Sequence, residues 1–102
     1  NKGPFRRAAK WDGVIPLRLP MKMPGPKDLR EILTYVTSER KTAAPFDVAV
    51  IGWTKGKDPS ENRRKITPYI DAGMTWWLEG LYMERNSPKD MRKRILQGPP
   101  VV

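Results

Sequence analysis

The residues able to do chemistry are few, and their absences decide as much as their presence. The chain has no cysteine and no histidine. Disulfides, thiolate nucleophiles and Cys-based metal sites are therefore excluded. So is the side chain that most often serves as general base near neutral pH and as metal ligand. No pair of carboxylates stands at a hydrolase spacing. No metal site and no catalytic residue can be named. Cofactor chemistry stays open, because a cofactor brings its own reactive atoms. The stretch that draws attention is "DAGMTWWLEGLY", residues 71 to 82, with Trp76 and Trp77 adjacent and Glu79 two positions on.

This stretch reads as a strand, and successive strand residues point to opposite faces. Thr75, Trp77 and Glu79 share one face; Trp76, Leu78 and Gly80 share the other. Trp76 is expected to meet covering helices, and Trp77 to point toward the far side. Glu79 falls near the strand's C-terminal end, where α/β folds bind ligands. It is expected as the partner of an Arg or Lys rather than as a catalytic group. Trp53 and Thr54, after "AVIG", hold the matching place on an earlier strand. "TKGKDPS" that follows lacks the spacing of a phosphate-binding loop and reads as a solvated connection.

Three segments that position these residues open alike: "GPKDLRE", "DPSENRR" and "SPKDMRK". Asp58 and Ser87 are N-cap residues, each followed by proline at the first helical position and an acid at the third. Leu29, Ile32, Leu33 and Val36 form one apolar stripe. Ile66, Tyr69 and Ile70 line the next helix, with a kink expected at Pro68 and an end at Gly73. Met91 and Ile95 line the last. The spacing predicts helices over 4–11, 26–41, 59–72 and 88–97. Strands are expected over 13–17, 46–53 and 74–82. "DVAVIG" is continuous in apolar residues, as in a strand covered on both faces. Alternation of this kind predicts an α/β fold with parallel strands in a single domain.

The chain has 102 residues and a net charge of +9. That charge raises nucleic-acid binding as an alternative. The clusters Arg6-Arg7, Arg63-Arg64-Lys65 and Arg92-Lys93-Arg94 all lie in helical segments, interrupted by acids and apolar residues, which favours solvated helix faces. No apolar run approaches a membrane span, and no signal-peptide pattern is visible, so the expected location is the cytoplasm. The chain begins at Asn1 without an initiator Met, and three strands would leave two open edges. Both points suggest a piece of a longer protein, or a chain that closes its edges as a homo-oligomer.

"RRAAKWDGVIPL", "FDVAVIGWTKGKDP", "DAGMTWWLEGL" and "RILQGPP", in that order, resemble the C-terminal part of the bacterial-luciferase-like flavin-dependent oxidoreductases and monooxygenases. The resemblance runs across most of the chain. It implies a (β/α)8 TIM-type barrel of about three times this length, of which the three strands here would be the sixth, seventh and eighth. Trp77 and Glu79 would then look into the barrel interior. It implies FMN or a deazaflavin coenzyme, and a small organic substrate, at the C-terminal mouth. Lys2, Gly3, Phe5 and Arg6 are the candidates for its phosphate end, although Pro4 has no N–H to offer. Trp53, Trp77 and Glu79 are candidates for the rest of the pocket. With five strands missing, this chain alone would not be catalytic. The alternative is a stand-alone basic protein that binds or self-assembles.

Overall fold

The computed structural model describes residues 2–17, 22–55, 57–81 and 87–102. Helices and strands alternate along the chain: α1 (Gly3–Ala8), β1 (Gly13–Val14), α2 (Pro26–Glu39), β2 (Asp47–Gly52), α3 (Pro59–Asp71), β3 (Trp76–Glu79) and α4 (Pro88–Leu96). The expected order of elements is the observed one. The helix starts also work as their sequences suggest. Asp58 Oδ1 accepts the N–H groups of Ser60 and Glu61 at 3.1 and 3.2 Å. Ser87 Oγ accepts that of Asp90 at 3.2 Å, and Asp28 reaches back to the N–H of Gly25 at 2.9 Å. Each bond satisfies a backbone donor at its helix start. Gly73, at φ 111°, ends α3 in a conformation that favours glycine.

The strands are shorter than their apolar runs. β1 stops before Pro16, which has no N–H for a ladder. Pairing of β3 begins with the Thr75 N–H, which donates to the Val48 carbonyl at 2.8 Å, and residue 82 lies outside the described residues. The three strands form one parallel sheet in the order β1-β2-β3, with Ala49 opposite Trp76 and Val50 opposite Trp77.

Burial alternates along β2. Val48, Val50 and Gly52 are buried, while Ala49 and Ile51 are only half covered. Val48 and Val50 join Leu29 of α2 and Ile66 of α3 in the core, with Ala72 and Met74 closing its lower end. Both connecting helices therefore cover the same face of the sheet. The opposite face carries Ile15, Ala49, Ile51, Trp76 and Leu78, and Trp76 is 58% exposed. A sheet apolar on both faces but covered on one is unusual for parallel strands.

The register corrects the expected placement of the two tryptophans. Trp77 shares the face of Val50 and packs against the core, its ring centroid 5.9 Å from that of Tyr69. Trp77 and Glu79 thus look toward the helices, and Trp76 looks away from them. Both faces of β3 are apolar in sequence, so strand parity alone does not tell which face the helices take. Two further expectations change. Ile95 stands 58% exposed, and α4 buries Arg94 instead. Trp11 is exposed, while Ala9 of the same segment is buried.

Candidate functional site

The polar groups of the fold converge at the C-terminal end of β2 and β3. Gly52 ends β2, and the chain carries Trp53 and Thr54 beyond it. Glu79 ends β3 directly beside Gly52 in the register. α4 then lays Arg94 across the gap between the two strands.

Glu79 is held by four contacts. Its Oε2 accepts the Thr54 N–H and its Oε1 the Thr54 hydroxyl, both at 2.7 Å. Oε1 also accepts the Trp77 indole N–H at 3.1 Å and lies 3.4 Å from Arg94 Nη2. Arg94, only 5% exposed, spreads its fork further. Nη2 donates to Thr54 Oγ1 at 2.9 Å, Nε to the Thr54 carbonyl at 3.3 Å, and Nη1 to the Gly98 carbonyl at 2.6 Å. A planar guanidinium can meet several acceptors at once in this way, where an ammonium cannot. The network fixes the strand ends, the start of the β2–α3 connection and the end of α4 in one arrangement. Burying such a pair is tolerated because its hydrogen-bonding capacity is well used.

Two glycines shape the same region. A Cβ built at Gly52 would fall inside the ring of Trp77, and one built at Gly80 would fall inside that of Trp53. Each indole therefore crosses to the neighbouring strand and lies over a glycine, Trp77 on the helix side and Trp53 on the open side. Lys65 donates its ammonium to the Trp53 carbonyl, tying α3 to the same strand end.

The N-terminal candidates lie elsewhere, on α2. Lys2 Nζ stands 5.0 Å above the Tyr35 ring, and Arg6 Nε donates to the Tyr35 hydroxyl at 3.3 Å. That bond, with the charge interactions of Tyr35 and Glu39, raises the Arg6 pKa above its ordinary value, although the group is fully exposed. Gly3 and Phe5 are half-buried in α1, which has six residues. Lys2 and Arg6 thus share one aromatic partner, and neither touches the Glu79 network in the contacts described.

Thr54 and Arg94 belong to this site and sequence reasoning did not select them. Arg94 reads there as part of an exposed basic cluster. Its position three residues after Met91, on the same helical face, is the signal that separates it from Arg92 and Lys93. Among the described residues, no group of three or more His, Cys, Asp or Glu side chains could hold a metal ion. Nor is any helix there long and apolar enough to cross a membrane. What the arrangement does chemically is to hold a carboxylate and a guanidinium in fixed places. Its half-exposed part is the indole of Trp53. No family model, curated protein or solved structure matches the chain.

Proposed function

We propose that this chain is the C-terminal part of a luciferase-like oxidoreductase or monooxygenase that uses FMN or a deazaflavin, and that it has no activity by itself. One observation carries the reading. Three parallel strands follow one another in sequence order, with their covering helices on one face and apolar side chains on the other. A segment of a (β/α)8 barrel has this form, since its strands close around an apolar interior and its helices lie outside. In that reading β1, β2 and β3 are the last three strands. Ile15, Ala49, Ile51, Trp76 and Leu78 then face the interior, in place of the Trp77 face expected from sequence.

The residues present bear on the cofactor unequally. Glu79 has its oxygens occupied by Thr54, Trp77 and Arg94, and Trp77 is packed in the core. Both support the mouth of the barrel. Trp53 fits a direct role, as a flat half-exposed surface on the open side at the C-terminal end. Lys2 and Arg6 fit a role toward the phosphate, as cations near the start of α1, with Gly3 and Phe5 shaping that turn. The cofactor would supply the redox chemistry, and the protein its orientation and the exclusion of water. A small organic substrate and a cytoplasmic location belong to the same proposal.

Flavin retention tests this reading. The protein purified from its source cell is expected to carry a flavin or deazaflavin that is released on denaturation. The 102-residue chain alone is expected to bind neither tightly. Cofactor-free native protein would contradict the proposal. A second reading, self-assembly, is favoured by the uncovered apolar face.

A further inference from the structure

We propose that the open face of the sheet is a docking surface for a second copy of this chain, with the strands of the two copies antiparallel across a twofold axis. This self-association concerns the 102-residue chain and does not rest on the oxidoreductase reading.

The size of the surface comes first. Ile15, Ala49, Ile51, Trp53, Trp76 and Leu78 all stand on the open face, with Trp76 58%, Ile15 53% and Leu78 36% exposed. Together they offer on the order of 500 Å² per copy, so two copies reach roughly the 1,000 Å² at which stable interfaces begin. A second sheet at about 10 Å would supply the missing layer.

Charge then selects the orientation. Asp47, at the N-terminal end of β2, has the parity of Ala49 and Ile51 and is exposed, with Oδ1 accepting from the Thr75 hydroxyl at 3.2 Å. Lys55, past the other end of β2, has the same parity. Its side chain is 83% exposed and its ammonium lies 3.8 Å from Glu61. Ile51 is equidistant in sequence from the two. A twofold axis crossing the strands at Ile51 sets Asp47 of each copy opposite Lys55 of the other. It also brings Trp76 of each toward the Trp53 indole that lies over Gly80. An axis along the strands would set Asp47 against Asp47, which like-charge repulsion disfavours.

Sedimentation equilibrium of the purified chain tests the proposal. A species of twice 11.7 kDa is expected, and Trp76→Glu is expected to sediment as a monomer with an unchanged far-UV circular dichroism spectrum. If Trp76→Glu unfolds the chain, charge variants give the answer independently. Asp47→Lys is expected to weaken dimerisation about tenfold or more, and the pair Asp47→Lys with Lys55→Asp to restore it. Because the chain has no cysteine, the orientation can be read directly. Asp47→Cys with Lys55→Cys is expected to oxidise to a linked dimer, and Asp47→Cys alone to remain unlinked. A wild-type monomer would overturn the proposal and leave the face to another partner. A ladder of higher species would overturn it in favour of edge pairing, and linkage by Asp47→Cys alone would overturn the antiparallel arrangement. Flavin retention by the native protein is a separate readout, so either proposal can fail without the other.

Discussion

Arg94 is the residue on which the strand ends depend, because it meets two groups of Thr54, the Gly98 carbonyl and Glu79 together. Arg94→Met is expected to destabilise the chain by about 3 kcal/mol, since it leaves a largely buried carboxylate without its cation. Arg94→Lys should recover only a small part, because an ammonium cannot span those acceptors. Urea denaturation measures both, and a cost below about 1 kcal/mol for either would show that the network is dispensable. Gly52 makes a second case. Gly52→Ala drives a methyl group into the Trp77 ring and should cost about 1–3 kcal/mol. The cost should fall when Trp77 is replaced by Leu, and a double-mutant cycle reports that coupling. Tyr69 makes a third. Burial first, and the nearby Asp28 second, hold its pKa above the ordinary 10.0. The folded state thus keeps the phenol proton to higher pH than the unfolded chain does. Its contribution is whole below pH 10 and is lost as pH rises through the folded-state value. Tyr69→Phe should flatten this alkaline loss of stability in denaturation curves taken at several pH values. It also removes the hydroxyl's 2.9 Å bond to the Pro24 carbonyl, which lowers stability at every pH.

At the scale of elements, the helix starts were the most legible part of the chain. Asp58 and Ser87 cap as their types suggest because an N-cap bond is made within four residues and needs no tertiary context. Asp58→Ala should therefore cost about 1 kcal/mol, as read by a fall in the denaturation midpoint. Strand faces were not legible. Alternation identifies a covered face only when the other face is polar, and "TWWL" is apolar on both. Ile95 misled in the same way. An apolar residue marks the inner face of a helix only where a core is available, and α4 meets the polar ends of β2 and β3. Arg94 was hidden by its neighbours Arg92 and Lys93, which are exposed. The partner that draws it inward, Glu79, lies fifteen residues earlier in the sequence.

For the whole molecule, alternation and the buried run "DVAVIG" were enough to give parallel βα units, because sequential strands joined by helices have few other arrangements. They could not say what covers the second face, since that depends on chain or partner beyond these elements. A barrel would cover it with its other strands, and a dimer with a second sheet. The measurement that bears most directly on the proposed function is the mass and visible absorbance of the protein as its source cell makes it. A species of roughly three times 11.7 kDa, as a (β/α)8 barrel requires, carrying a flavin or deazaflavin chromophore, is the expected result. A species of 11.7 kDa without a chromophore would contradict the oxidoreductase reading.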